Sequence, residues 1–418
     1  MFPFAKIAWS ILMVIPSVIF NPAFWIIILL VSMQYARTSR LEEKMFGQVI
    51  TTPGRETLES ALHGLVGGAL GSFIFVFVGV TVGGAGLSYI WPLALLLMLV
   101  EPRFLCFSYA GGIVSLTSLL FGFPKVGIPE LMSLVAVLHM IESLLIWTSG
   151  HTRAVPVFIK DKWGRVLGGF SLQKFWPIPV IAMTVVTPEL PWLKELTRGL
   201  IKMPEWWPLI KPEISLPPGK ELIYMMFAIP AALGYGDIAL TRKPAERSKA
   251  TAYHLMIFSL VLLTLAVLSA RYDLIKPLAA LFAPLGHEAV IRAGRQMEFE
   301  GEPIFVRPPR GVKVLDVVPG SPAAKAGLSC GDVILAVNGR EVNSKGDIHS
   351  VLEYMPSYIC LDVERQTKGG HLENLSLSIP GNVRKLGIVA VPEPGEQFYM
   401  ELKSEPFLAR LRRWLKRE

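Results

Sequence analysis

Several long stretches of this 418-residue chain carry no charged side chain. Residues 65–100 and 257–268 contain no Asp, Glu, Lys or Arg. A helix that crosses the hydrocarbon core of a bilayer needs about 20 mostly apolar residues. Only 18% of the residues are charged and 52% are apolar, whereas soluble domains have about 25% and about 45–50%. The sequence therefore predicts an integral membrane protein rather than one large soluble core.

Six apolar segments are candidates for membrane spans. They are residues 58–83, 87–100, 105–121, 131–149, 222–240 and 253–270. Two further apolar regions, 7–36 and 177–187, are interrupted or flanked by proline, and the second is short enough to be a re-entrant segment. We expect residues 1–285 to form a polytopic α-helical bundle of about six to eight spans.

Small residues recur on one of these segments. Gly64 and Gly68, like Gly67 and Gly71, are four residues apart, a spacing that lets helix backbones approach closely in lipid. We interpret this face as packing inside the bundle. Dimerisation through it is the alternative, so a homo-oligomer is possible.

The basic residues are concentrated in short loops. The formal net charge is +8, and Lys and Arg cluster in residues 37–57, 150–176 and 241–250. This distribution is typical of orientation signals and lipid headgroup contacts, not of nucleic-acid binding. The positive-inside rule makes all three loops cytoplasmic. Counting one further span at 253–270 would then place the C-terminal region outside, but that count depends on how 177–187 and 274–285 are interpreted.

After about residue 286 charges become frequent and apolar residues alternate as in strands. Four motifs follow one another there: Pro-Gly-Ser-Pro-Ala at 319–323, Ala-Gly-Leu at 326–328, Gly-Asp-Val-Ile at 331–334 and Val-Asn-Gly at 337–339. Residues 286–380 thereby resemble a PDZ domain of the bacterial type, a small and mostly β-structured α/β fold.

The resemblance implies a peptide-binding groove. PDZ domains bind extended peptides that add as a strand to a sheet edge beside a helix. The implied carboxylate-binding loop lies around Arg310, Gly311 and Val312. The implied groove walls are Val312, Val314, Ile348, Val351 and Leu352. Simple core packing is the alternative for each of these aliphatic side chains.

Residues 381–418 end in a basic amphipathic segment. Its polar face includes Arg410, Arg412, Arg413 and Lys416, and Trp414 lies on the apolar face. Such a helix is attracted to anionic lipid at the cytoplasmic membrane surface. The alternative is a solvated helix that docks on its own PDZ domain.

The combination of membrane spans and a PDZ domain raises the possibility of an intramembrane metalloprotease. That chemistry needs two His at i and i+4 with a Glu beside the first. His287 and Glu288 are present, but Ile291 occupies the second position. His139 and Glu142 share a helical face and are too few for a zinc site without a remote third ligand. We therefore expect no catalytic residues, no metal and no cofactor.

Two other features support that expectation. No pair among Cys106, Cys330 and Cys360 has metal-ligand spacing. The one Gly-x-Ser-x-Gly sequence, at 327–331, lies within the PDZ-like motifs described above, so we do not expect it to be a nucleophile elbow.

The whole layout resembles the MinJ family of Gram-positive bacteria. The residues that carry this resemblance, besides the PDZ motifs, are 156–160, 164–166, 168–177 and Gly-His-Glu at 286–288. The resemblance implies a membrane-anchored adaptor in division-site placement, with a cytoplasmic PDZ domain and with DivIVA-like and MinD-like proteins as partners.

Two alternatives remain open. One is a regulatory or degenerate protease-like membrane protein, and the other is a transporter-like bundle with a sensory PDZ domain.

Overall fold

The computed structural model describes residues 1–46, 52–161, 163–186, 201–211, 222–354, 356–367, 369–381, 383–396 and 399–401. Eight helices form the membrane part in these residues. They are α1 (Phe4–Ile19), α2 (Pro22–Phe46), α3 (Pro53–Val78), α4 (Leu87–Val100), α5 (Phe107–Phe121), α6 (Ile128–Ser149), α7 (Pro244–Ser269) and α8 (Lys276–Glu300).

Four of these helices are long and apolar enough to cross a membrane: α3, α6, α7, and α8 together with the turn that precedes it from Asp273. The α1–α2 pair, bent by 71°, would count as a fifth. Helices α4 and α5 are apolar but have only 14 and 15 residues. The described residues thus contain four or five candidate spans, fewer than the predicted six to eight.

The largest departure from the predicted bundle is a sheet of strands β1 (Val155–Lys160), β2 (Val166–Val186) and β3 (Ile223–Ala239), with the short β10 (Met400–Glu401) beside β1. Strands β2 and β3 are antiparallel over the full length of β3. The prediction of a helical span at 222–240 is therefore wrong, and 177–186 is strand.

The physical reason for this error lies in the composition of the two strands. An uninterrupted apolar run fits a buried strand as well as a helix. Pro177 and Pro179 in β2, and Pro230 with two glycines in β3, disfavour a helix interior.

The glycine face of α3 packs against this sheet and against α6. A side chain at Gly64 or Gly68 would overlap the carbonyl oxygen of Pro177 or Pro179 in β2, and one at Gly71 would overlap Ile141 of α6. The backbone N–H of Ile181 donates to Ser72 Oγ at 2.8 Å. The prediction that these glycines serve internal packing is confirmed.

The C-terminal region forms a second sheet. Its elements are β4 (Val312–Val317), α9 (Pro322–Lys325), β5 (Val333–Val337), β6 (Arg340–Glu341), α10 (Lys345–Glu353), β7 (Tyr358–Gln366), β8 (Leu372–Pro380) and β9 (Ile388–Ala390). The strand order is β8-β7-β5-β4-β9, and β6 pairs with β5. Ser344 and Asp347 form a reciprocal capping box that fixes the start of α10.

The structure draws the domain boundaries differently from the sequence. Helix α8 runs to Glu300 without interruption at the expected boundary of 285/286, and β9 extends the PDZ sheet well past residue 380. The β4–β9 region also packs on the membrane part. Leu315, Val389 and Phe305 belong to the same buried cluster as Phe158 and Phe170 of β1 and β2.

Four helix termini lie on one side of the membrane part. The Arg153 guanidinium is 2.7 Å from the Glu56 carboxylate, so the loop after α6 lies beside the start of α3. Lys249 of α7 lies over the Trp147 ring near the end of α6. The end of α8 joins them, because Glu298 Oε2 accepts from the N–H of Leu240 at 2.8 Å. The chain therefore enters the PDZ domain on the side that carries the basic loops.

Candidate functional site

Strand β4 occupies the interior of the PDZ sheet. Val312 and Lys313 pair with β5, while Val314, Asp316 and Val317 pair with β9. Both edges of β4 therefore already have partner strands, and a peptide cannot add to it. The predicted placement of the groove along Val312 and Val314 is thus corrected: both side chains are buried in the PDZ core.

The free edge beside α10 belongs to β9 instead. Among the described residues, β9 pairs with β4 alone. The N–H of Lys345, at the start of α10, donates to Glu393 just after β9 at 2.6 Å. Ile348 and Leu352 of α10 share one buried cluster with Ala390 of β9. The helix and the edge strand therefore lie side by side, as a groove for an extended peptide requires.

A tight turn leads into β9. Gly387 has φ of 78°, a left-handed conformation that favours glycine. Its carbonyl accepts from the N–H of Val318 at 2.8 Å, and the carbonyl of Leu386 accepts from Ala323 at 3.0 Å. These bonds hold the turn against the body of the domain. This segment lies beyond residue 380, the expected end of the domain, although Leu-Gly-Ile-Val at 386–389 is a turn-to-strand signal.

The other residues predicted for the groove have different surroundings. Arg310 is largely exposed and lies 3.6 Å from Glu364. The N–H of Gly311 donates to Asn343 Oδ1 at 2.9 Å, so this turn is tied to the loop before α10. Ile348 and Leu352 are buried, and Val351 is half-buried beside them. The tail residues Arg410, Arg412, Arg413, Trp414 and Lys416 lie outside the described residues.

One carboxyl of the PDZ domain has an unusual environment. The pKa of Asp316 is raised to about 6, chiefly by burial; the N–H of Val317 opposes this by donating to the carboxylate, and the nearby Glu42 of α2 adds to it. That donation spans 2.9 Å. Asp316 therefore lies where the PDZ domain meets the end of α2.

Two of the polar clusters that are buried within the membrane part differ in kind. In the first, Lys174 Nζ lies 2.9 Å from Glu56 Oε2, and Arg153 contacts both Glu56 and Glu59 at 2.7 Å. The second consists of Cys106, His139 and His287, whose ligand-type atoms all lie within 4.8 Å of one another.

The sequence placed the members of the second cluster apart, since Cys106 is 33 residues from His139 and 181 from His287. Motif spacing cannot reveal such a group. Remote ligand-type groups, Cys106 and His287, nevertheless lie beside His139 in the fold. Ile291 still leaves the two-His helical motif incomplete.

Comparison with known proteins agrees with this architecture. A family model described as "PDZ domain" matches residues 313–357. The fold and this match define a multi-pass membrane protein with a C-terminal PDZ domain. Over nearly its whole length the chain is MinJ-like: it is 24% identical over 400 residues to the cell division topological determinant MinJ of Bacillus subtilis (strain 168), covering 90% of this chain and 94% of that protein.

Other relatives match a much shorter segment. The probable cell division topological determinant MinJ of Lacticaseibacillus paracasei is 33% identical over 84 residues, which is 20% of this chain and 23% of that protein. The periplasmic pH-dependent serine endoprotease DegQ of Escherichia coli (strain K12) is 43% identical over 63 residues, 15% of this chain and 14% of its own. The similarity to the protease is confined to the PDZ region and does not extend to its catalytic part.

Proposed function

We propose that this protein is a membrane-anchored adaptor whose PDZ domain recruits cytoplasmic division proteins to the membrane. The observation that carries the proposal is a PDZ sheet with a free edge, docked on the basic side of a bundle that is MinJ-like along 90% of the chain. Recruitment requires no chemistry, because tethering a peptide-binding module raises the local concentration of its partners. By family resemblance, the partners are DivIVA-like and MinD-like proteins.

The orientation follows from the helices that separate the basic loops from the PDZ domain. Two candidate spans, α7 and α8, lie between the loop at 241–250 and β4. An even number of crossings returns the chain to the side where it started. The positive-inside rule assigns that side to the cytoplasm. The count from the sequence alone gave the opposite side because it left 274–285 undecided and did not extend that segment into the span α8.

The proposed ligand is an extended peptide that pairs with β9. Ile388 and Val351 are only partly buried and lie on the strand and the helix that flank the edge. A terminal carboxylate would lie at the turn of Leu386 and Gly387, where the backbone is already held by hydrogen bonds to Val318 and Ala323. This arrangement moves the predicted carboxylate-binding loop from Arg310–Val312 to the entry of β9.

The orientation is tested by cysteine labelling in cells with a membrane-impermeant thiol reagent. Tyr354, at the end of α10, is 83% exposed, and Leu274, between α7 and α8, is 91% exposed. In a Cys330→Ser, Cys360→Ser background, Leu274→Cys should be labelled in intact cells. Tyr354→Cys should be labelled only after permeabilisation. Labelling of Tyr354→Cys in intact cells would contradict the proposal, because the proposed partners are cytoplasmic.

The groove is tested by peptide binding to the full chain in lipid nanodiscs. Fluorescent peptides that copy the C-termini of candidate division proteins are titrated by anisotropy. Ile388→Glu and Val351→Glu should each weaken binding by roughly tenfold or more, since a charge would enter an apolar groove. The matched control is Leu372→Glu, an exposed apolar residue on β8 at the opposite sheet edge. Equal weakening by the control would contradict the placement.

A protease-like role is the second candidate, and the Cys106–His139–His287 cluster beside Glu288 is the observation that favours it. A general base needs a free carboxylate, but Glu288 accepts from Tyr109 Oη at 2.7 Å and pairs with Arg103 and Arg292 at 3.1 and 2.7 Å. Its lone pairs are thus already engaged. Cleavage of a membrane substrate by purified protein, lost in His139→Ala, would favour this role over the adaptor.

A further inference from the structure

Three helices that are distant in sequence converge on one small buried volume. Cys106 is the N-cap of α5, His139 lies in the middle of α6, and His287 lies in the middle of α8. Cys106 Sγ is 3.0 Å from His139 Nε2 and 3.8 Å from His287 Nε2. The two imidazole rings lie 4.9 Å apart, measured between ring centroids.

These separations match the size of a metal coordination sphere. Zinc binds sulfur at about 2.3 Å and imidazole nitrogen at about 2.0–2.1 Å, so sulfur and nitrogen ligands of one tetrahedral ion lie about 3.6 Å apart. The observed 3.0 and 3.8 Å lie on either side of that value. Only small rotations of the side chains would be needed to close the three ligands around one ion.

The ring of His139 is oriented as a metal ligand requires. Its Nδ1 lies 2.7 Å from the carbonyl oxygen of Val135, one turn earlier in α6. With Nδ1–H donating there, Nε2 keeps its lone pair and faces Cys106. A backbone carbonyl that fixes the tautomer of a ligating His is the usual outer-shell partner in metal sites.

A bound ion would also account for the surroundings of His287 and Cys106. His287 is buried, yet its Nδ1 has no hydrogen-bond partner among the described residues, and its Nε2 has only the 3.8 Å approach to sulfur. A buried imidazole with such poor hydrogen bonding is costly unless a further ligand engages it. The N–H of Ser108, in the first turn of α5, approaches Cys106 Sγ at 3.4 Å. Metal binds the thiolate form of cysteine, to which this N–H would donate.

The surroundings exclude bulk water and leave acidic groups nearby. Phe258 of α7 contacts both rings, with centroid distances of 5.4 Å to His139 and 5.6 Å to His287. Tyr109 lies 5.4 Å from His287 on another side. Glu142 follows His139 by three residues, so it lies on the same face of α6 and offsets the charge of a bound cation.

We propose that Cys106, His139 and His287 bind one zinc ion that ties α5, α6 and α8 together. Thiolate and imidazole donors suit a borderline-soft divalent ion rather than Mg²⁺ or Ca²⁺, which prefer oxygen. Because α8 continues from this site to Glu300 and then into the PDZ domain, occupancy of the site fixes the helix on which that domain is mounted.

The test uses the full chain in nanodiscs, purified without a polyhistidine tag, stripped with a chelator and reloaded with Zn²⁺ alone. Elemental analysis after desalting should find about one zinc per chain, as one three-ligand site requires. Cys106→Ser and His287→Gln should each lower zinc affinity by roughly tenfold or more. The matched controls are Cys360→Ser and the exposed His254→Gln on α7, which should retain the metal.

A measurement on the wild-type protein keeps the test independent of how the variants fold. Loading with Co²⁺ should give a thiolate-to-cobalt charge-transfer absorption that Zn²⁺ abolishes by displacement. Folded wild-type protein that binds no Co²⁺, or binds it without the sulfur band, would overturn the proposal. Equal zinc content in Cys106→Ser and Cys360→Ser would overturn it as well.

Discussion

The buried clusters around Glu56 and around Cys106 are built on opposite principles. Around Glu56, opposite charges neutralise one another: Lys174 and Arg153 contact the same carboxylate, and the side chains of Lys174 and Glu56 are only 3% and 5% exposed. Around Cys106 there is no such internal compensation, because His139 and His287 present ring nitrogens to a sulfur atom. The charges of the first cluster are balanced within the protein, whereas the second cluster has the ligand atoms to bind a metal cation.

The largest expected effect is on the first cluster. Glu56→Gln leaves Lys174 buried without its counter-charge, and breaking a buried pair on one side costs about 3–5 kcal/mol. The free energy of unfolding, measured by denaturant titration in detergent, should fall by that amount. Glu59→Gln is the matched control, since Glu59 is one third exposed and its loss should cost less than about 1 kcal/mol. Similar losses in both variants would contradict the view of Glu56 as the centre of this cluster.

The second cluster should respond to metal instead. At a free zinc concentration of about 100 times Kd, binding to the folded state stabilises it by about 2.7 kcal/mol. Chelation should therefore lower the unfolding free energy of the wild-type protein by that amount and leave Cys106→Ser unchanged. If chelation lowers the unfolding free energy of the wild-type protein and of Cys106→Ser equally, the second cluster does not bind the metal.

A smaller effect is expected where α3 packs on β2, the contact that brings Glu56 to Lys174. Gly64→Ala places a methyl group against the carbonyl oxygen of Pro177, and overpacking of this kind costs about 1–3 kcal/mol. Gly54→Ala, where nothing lies within 4 Å, is the matched control and should be neutral or slightly stabilising. A harmless Gly64→Ala would show that the helix and the strand can separate without cost.

The smallest expected effect concerns Asp316, a carboxyl whose pKa is raised chiefly by burial. Its folded pKa of about 6 lies above the ordinary value of 3.8, so the folded state binds the extra proton. Its contribution to stability is present below pH 4 and is lost as the pH rises through about 6. Asp316→Asn should therefore stabilise the protein by about 1–2 kcal/mol at pH 8 and hardly at pH 4. A gain of equal size at both pH values would contradict the assigned ionisation.

The sequence predicted those features that depend on local pattern. The PDZ elements from β4 to β8 follow from turn glycines and alternating apolar residues, and α3, α6 and α7 follow from long uncharged runs. The sequence did not predict β2 and β3, because an apolar run fits a membrane helix and a buried strand equally well until the partner strand is known. It also failed at β9, which joins the PDZ sheet only through pairing with β4 across about 70 residues, a separation that local pattern cannot reveal.

The candidate sites divide in the same way. The α10 side of the groove was predicted from helical spacing at Ile348, Val351 and Leu352. The strand side was placed one strand away, since edge and interior strands have similar sequences. His139 and His287 were separate candidates in the sequence, but their convergence with Cys106 depends on how three helices pack, so no motif could predict it.

The attachment of the PDZ domain at both of its ends has a mechanical consequence. Helix α8 enters it directly from the bilayer, and β10, which follows it, pairs with β1 of the membrane part. A domain attached through a single flexible linker could reorient freely and bind partners from any direction. Because it is attached at both ends, this domain keeps a fixed orientation relative to the membrane plane. A peptide bound to it would therefore run in a fixed direction along the membrane surface. If the domain recruits partners as proposed, those bound to neighbouring copies would all be held in the same orientation.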